Sequence, residues 1–229
     1  RMLRPNTKLV VLNNPNNPTG ALLMGANLEE FVAVVRTSGA YILCDEVYRG
    51  TNQVGNGFAP GMADIYEKGI SVSSMSKVFS LAGIRLGWIA APREVLEAVS
   101  IRRDYNTISV GMIDDYFASL ALENKEQIIG RSQKITRGNL KILDDWVSKE
   151  HSISYKKPQA GTTALLKYDF DIPSREFCIQ LLRETGVMFT PGSVMEMEGW
   201  LRIGYANSPE VLSQGLELVS NFLSRMGSR

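Results

Sequence analysis

The sequence predicts an α/β protein: a mostly parallel sheet with helical crossovers, followed by a smaller α+β domain. Short apolar runs at residues 9–12, 40–44 and 70–74 each lead into polar residues, and helix-length segments separate them. Parallel strands need such crossovers, and open α/β sheets bind ligands beyond the carboxyl ends of their strands. Beyond Pro92 the texture changes to mainly helical and then to mixed stretches.

Taken in order, residues 9–12 are bounded by Asn and Pro and are short enough to read as a buried strand. Asn27 with Glu30 three residues on predicts a helix cap. Leu28, Phe31, Val32 and Val35 then mark one helical face, which Gly39 stops. Residues 40–44 form the next strand, ending at Asp45, and residues 70–74 a third, ending just before Lys77. Residues 86–90 return after a short connection and are expected to run antiparallel. Val95, Leu96 and Val99 predict a helix, and residues 114–123 another. A long amphipathic stretch follows over residues 125–149, with Ile128, Ile129, Ile135, Leu140, Ile142, Leu143 and Trp146 as its apolar positions. The domain boundary is therefore expected near residue 125, giving a first domain of residues 1–124 and, over 125–229, a linker helix and a small domain. Within the latter, residues 163–168 and 201–205 read as strands, 187–189 as an apolar run, and 174–184 and 209–226 as helices.

Bulk properties narrow the function. Twenty-five basic against 24 acidic residues leave a net charge of +1, which offers no footprint for nucleic acid or an anionic membrane and favours small-molecule partners. No apolar run approaches the roughly 18 residues of a membrane span, and the opening RMLRPNTK lacks a signal-peptide core. Cys44 and Cys178 lie too far apart in sequence for a disulfide framework or metal cluster, so a reducing, cytoplasmic setting is expected. His151, the only histidine, sits in polar KEHSIS and reads as a surface residue; Cys44 reads as packing, and Met188, Met195 and Met197 as packing or pocket wall. The chain starts at Arg1 and enters a strand within a few residues, so a further upstream segment is expected.

Chemistry concentrates in Asn17-Pro18-Thr19-Gly20, Asp45-Glu46-Val47-Tyr48, Ser74-Met75-Ser76-Lys77 with Arg85, and Arg202. In that order they supply what pyridoxal 5'-phosphate needs, and no metal is implied. Lys77 offers a Schiff-base amine that can also move a proton, if partial desolvation beside a guanidinium and a protonated ring disfavours its charged form. Ser74 and Arg85 offer a hydroxyl and a forked guanidinium for phosphate, although Arg85 also suits a surface ion pair. Asp45 suits a pyridinium nitrogen or, alternatively, a cap on the next helix. Tyr48 and Asn17 suit the ring phenolate. The Asn17-Pro18 bond is a candidate for the cis form, while NNPNNPTG by itself reads as a turn. Arg202, after Pro191-Gly192-Ser193, suits bidentate contact with a substrate carboxylate or, alternatively, a salt bridge on a strand face. AYILCDEV is also similar to the acidic strand of P-loop ATPases, but that reading leaves the segment from Ser74 to Arg85 unexplained.

On these residues the chain resembles the class I and II aminotransferases, a family of fold type I pyridoxal phosphate enzymes. The resemblance implies an aspartate aminotransferase-like fold in which residues 1–124 are the remaining part of a large, seven-stranded cofactor domain and a smaller domain closes over substrate. It implies cofactor contacts from Asn17, Asp45, Tyr48, Ser74, Lys77 and Arg85, substrate contacts from Asn17 and Arg202, and catalysis by Lys77. The implied reaction moves an amino group from an amino acid to a 2-oxo acid. C-S lyases, cyclising synthases and amino acid oxidases share the fold, and so does a ligand-sensing domain of transcriptional regulators. A homodimer is implied. The family's N-terminal portion, with further phosphate ligands, a ring-stacking aromatic and a gating segment, has no counterpart here, so a complementary N-terminal fragment is an expected partner. Met195 and Glu196 stand where many relatives have an aromatic residue and a glycine-rich turn, which leaves substrate choice open.

Overall fold

The computed structural model describes residues 3–227. These divide into two compact units, residues 3–16 with 21–133 and residues 17–20 with 134–227.

In the first unit, β1 (Leu9–Asn13), β2 (Tyr41–Asp45), β3 (Gly69–Ser74) and β4 (Gly87–Ala90) form a sheet in that order. β1, β2 and β3 are parallel, and β4 runs antiparallel to β3 as its short connection dictates. The first crossover is α1 (Gly25–Arg36) and the second contains the short α2 (Met62–Ile65). Leu28, Val32 and Val35 of α1 pack with Ile42, Cys44, Met62 and Tyr66 on one face of the sheet.

Two local expectations fail. Asn27 does not cap α1: the cap position is Met24, with no side-chain bond. The entry to the helix is instead held from a distance, where the Asn14 amide donates to Leu23 O and accepts from Leu23 N–H, at 2.9 and 2.8 Å. Nor is β1 wholly buried. Val10 and Leu12 pack against the α1 cluster, but Leu9 and Val11 are 47% and 69% exposed on the other face. Alternating side chains make an all-apolar strand two-faced, and only one face has a partner here among the described residues.

Further along lie α3 (Arg93–Arg103), α4 (Met112–Glu123) and α5 (Lys125–Val147). Ala118, Ala121 and Ile129 cover Met75, Val78 and Phe79, the apolar residues of the segment after β3. The division between units falls within α5, between Gln133 and Lys134.

The second unit holds an antiparallel sheet, β5 (Ile153–Tyr155), β6 (Thr163–Tyr168), β7 (Thr190–Pro191) and β8 (Trp200–Gly204), in the order β5-β6-β8-β7. With it are α6 (Ser174–Thr185) and α7 (Pro209–Gly227). Their core joins Leu143, Leu166, Phe177, Leu181, Leu201 and Phe222, all nearly inaccessible, with Phe177 stacked on Tyr168 and edge-on to Phe222. Gly186, in the left-handed region, ends α6. β5 escaped the sequence reading because Ile153 is its single buried residue, too little for a period to show.

Candidate active site

The ends of the parallel strands organise the first unit's polar residues. The register pairs Asn13 with Asp45 and Asp45 with Val72, so the pleat places Asp45, Val72 and Ser74 on one face and Cys44, Ser71 and Ser73 on the other. Asp45 Oδ1 accepts the Val47 N–H at 3.0 Å within a turn, not at the start of a helix, so the helix-cap alternative is not realised; among the described residues Oδ2 has no hydrogen bond. Its backbone carbonyl accepts from Asn13 Nδ2 and Asn14 N–H, tying the ends of β1 and β2 together.

Residues 46–49 make a tight turn, with Arg49 N–H donating to Glu46 O at 2.7 Å, and Tyr48 is buried within it. Lys77 Nζ stands over the Tyr48 ring, 5.9 Å from its centroid. Burial of Met75, Val78 and Phe79 on either side holds the Lys77 backbone and turns its side chain outward. That side chain is exposed, so the desolvation expected for its amine is not supplied by the described residues. Ser74 Oγ accepts the Ser76 N–H at 3.2 Å. Arg85 is exposed and left-handed at φ 49°; its Nη1 donates to Ala82 O at 2.8 Å, and it makes no ion pair among the described residues.

Glu46 was visible in the motif but had no assigned part. It is 4% exposed, and its Oε1 accepts from Met62 N–H and from the Ser71 hydroxyl at 2.6 and 2.7 Å. This carboxylate clamps the turn bearing Asp45 and Tyr48 to β3 and α2. An acid next to Asp45 inside an apolar stretch was the available signal.

Asn17 belongs to the second unit despite following β1 in sequence. Gly20 O accepts from Gln159 N–H and Ala160 N–H at 2.8 and 3.1 Å, and Pro18 O accepts from the Thr163 hydroxyl at 3.4 Å. Gly20 has φ +67°, and a Cβ there would lie 2.5 Å from Pro158 Cβ, so the glycine is required by both backbone and space. The Asn17-Pro18 bond is cis, as is Asn14-Pro15. Arg202, half-buried on β8, donates from Nη1 to Asn17 Oδ1 at 3.4 Å and from Nη2 to Thr190 Oγ1 at 3.2 Å. No carboxylate lies in ion-pair reach of it among the described residues, so the salt-bridge alternative for Arg202 is not realised. Beyond β8, the buried Asn139 of α5 donates from Nδ2 to Tyr205 O and Asn207 O, both at 2.7 Å.

The remaining candidates fall outside this chemistry. His151 is exposed. Cys44 and Cys178 are buried, and burial pushes their thiols up to about 12 and about 11. Met188 is 78% exposed and lines a 240 Å³ cleft with Phe189, Ile203 and Leu216, a wall rather than packing. No cluster of metal-ligating residues and no helix long and apolar enough to cross a membrane occurs among the described residues.

A parallel sheet with a lysine, a phenol, a carboxylate and a serine at its strand ends defines a class, and comparison agrees: the chain belongs to the family "Aminotransferase class I and II", which matches residues 2–218. The fold is that of the fold type I aminotransferases. A PLP-dependent aminotransferase from Streptococcus suis 89-1591 superimposes with a TM-score of 0.94 at 43% identity, covering 98% of this chain and 59% of that one. Capreomycidine synthase of Streptomyces vinaceus is 28% identical over 97% of this chain and 57% of its own length. The aspartate/prephenate aminotransferase of Thermus thermophilus is 28% identical over 98% and 59%. The chain thus spans under two thirds of the length of these relatives. Family membership also removes the P-loop ATPase reading of AYILCDEV.

Proposed function

We propose that the natural protein is a pyridoxal phosphate-dependent aminotransferase moving an amino group from an amino acid to a 2-oxo acid. The observation that carries this reading is the set of donors at the strand ends: Asp45 and Ser74 on one face of the sheet, and Lys77 over the Tyr48 ring. The donor set fits the cofactor: a phenol, a primary amine, a hydroxyl and, among the described residues, a carboxylate oxygen without a hydrogen bond and a guanidinium outside any ion pair.

In this reading Asp45 would hold the pyridine nitrogen, Tyr48 and Asn17 the ring oxygen, and Ser74 and Arg85 the phosphate, and Lys77 would be the covalent anchor. The bound cofactor supplies a sink for the electron pair released at the substrate Cα. Lys77 Nζ would take the proton from that Cα. Arg202 orients the substrate through its α-carboxylate, and Asn17 ties that contact to the ring oxygen. In the domain reading, residues 1–124 are part of the large cofactor domain and residues 125–229 are the linker helix and small domain. A homodimer, a complementary N-terminal segment and a cytoplasmic setting complete the proposal; the buried, unlinked cysteines suit the last of these.

The test is borohydride reduction of the intact natural protein equilibrated with pyridoxal phosphate, followed by peptide mass spectrometry. A pyridoxyl mark on Lys77 is expected, and its absence there would sink the reading. Turnover of an amino acid with 2-oxoglutarate then supports transfer. Product without an amino acceptor would favour a second reading, a cyclising synthase, since a PLP-dependent cyclase is also among the solved structures this chain resembles, at 28% identity and a TM-score of 0.89.

A further inference from the structure

Arg202 is held in an unusual electrostatic state for a half-buried guanidinium. Its two hydrogen-bond partners are neutral oxygens, Asn17 Oδ1 and Thr190 Oγ1, and its charge has no carboxylate partner among the described residues. Thr190 and Arg202 are direct cross-strand partners of β7 and β8, so the pleat puts both side chains on the same face. β7 is only Thr190–Pro191, and the preceding Phe189 is buried at 5%, which fixes the strand that carries the hydroxyl.

We infer that Thr190 is a positioning residue for substrate recognition: its hydroxyl fixes the plane of the Arg202 guanidinium. The inference rests on the carboxylate-binding role proposed above for Arg202. A guanidinium has five N–H groups, one on Nε and two on each terminal nitrogen. Asn17 takes one on Nη1 and Thr190 takes one on Nη2. One N–H then remains on each terminal nitrogen, so both nitrogens keep a donor for a carboxylate while the two protein contacts fix the plane in which those donors lie. With only the Asn17 contact, the guanidinium could rotate about its bond to the side chain and present those donors in several directions. A second anchor on the other nitrogen removes that freedom before substrate arrives, so less of the interaction is spent on ordering. The partner it prepares for is any α-carboxylate, whatever the substrate's side chain.

The sequence reading missed Thr190 because a threonine before Pro-Gly in an apolar run looks like ordinary strand composition. Its contact with Arg202 spans 12 residues and exists only through the β7–β8 pairing.

The test uses the intact natural protein loaded with pyridoxal phosphate, comparing wild type, Thr190→Val, Thr190→Ser and Arg202→Ala. Valine keeps the branched shape and removes the hydroxyl; serine restores it. Two quantities are read: the KM-against-kcat split for the amino acid, and the calorimetric Kd of a simple carboxylic acid that lacks the amino group and so cannot react. Loss of one hydrogen bond to a charged donor predicts that Thr190→Val raises both KM and Kd by about five-fold. kcat should change much less, and Thr190→Ser should return KM and Kd toward wild type. Unchanged KM and Kd in Thr190→Val, with Arg202→Ala strongly impaired, overturn the role of Thr190 and leave that of Arg202 standing. Equal impairment of Thr190→Ser and Thr190→Val also overturns it, because shape rather than the hydroxyl would then matter. Normal carboxylate binding by Arg202→Ala overturns both this inference and the reading on which it rests.

Discussion

Helices α3 and α7 are both amphipathic in sequence, yet they end in opposite environments. α7 buries Leu212, Leu216, Val219, Phe222 and Leu223, each 5% exposed or less. α3 buries none of its residues: Leu96, Val99 and Ile101 are 40%, 37% and 68% exposed. The difference teaches that an apolar face specifies a helix but not its burial, because stabilisation comes from the surface that covers it. In the second unit the sheet and α6 supply that surface. For α3 the described residues do not, and the chain spans 59% or less of the relatives compared above.

The strongest way to break this comparison is Phe222→Ala. The side chain is 1% exposed and packed edge-on to Phe177, so its removal should cost about 3–5 kcal/mol of unfolding free energy in urea titrations. A loss of under about 1 kcal/mol would mean that the second unit's core is not the rigid one its burial indicates.

Next in size is Gly20→Ala. A left-handed backbone and the 2.5 Å approach to Pro158 Cβ predict a loss of about 2 kcal/mol, and release of residues 17–20 from the second unit. Hydrogen exchange at Gln159 and Ala160, whose N–H groups bond Gly20 O, should rise in the variant.

A smaller, pH-dependent effect attaches to Glu198. The Ser174 N–H at the start of α6 holds this carboxyl below the usual carboxylate range, helped by the Ser174 and Tyr168 hydroxyls and Gly199 N–H. Because its folded pKa is depressed, its stabilisation is complete above the unfolded pKa and is lost as pH falls through the folded one. Glu198→Gln should lower the melting temperature near neutrality and flatten its dependence on acid; an unchanged acid slope would count against the contact.

The smallest effect sharpens the comparison from the other side. Ile101→Ser on α3 should change the stability of the 229-residue chain by no more than about 0.5 kcal/mol, since there is little buried contact to lose. A penalty like that of Phe222→Ala would show that α3 is covered after all.

Much of this protein was legible without coordinates, for local reasons. Strands β2, β3, β6 and β8 and helices α5, α6 and α7 announce themselves because their apolar periods run long enough to count. The antiparallel return of β4 follows from its short connection. The polar residues at strand ends were visible because together, in that order, they supply one cofactor's needs, although each alone has an ordinary reading.

What stayed hidden depends on pairing across distance. A cap on α1 looked local at Asn27, but its cap position Met24 has no side-chain bond and the chain entering the helix is held by Asn14 at Leu23. Glu46 lay in plain view, but its work appears only when Ser71 and Met62 arrive beside it. By itself the sequence determined the fold class, the order of the chemical groups and the family, because these rest on local pattern and residue type. Tertiary structure alone decided that Asn17 belongs with Arg202, 185 residues away, that Thr190 completes its anchoring, and that half of β1 faces outward. Register, strand pairing and the closeness of two packed surfaces set those outcomes, and none is a property of any one stretch of chain.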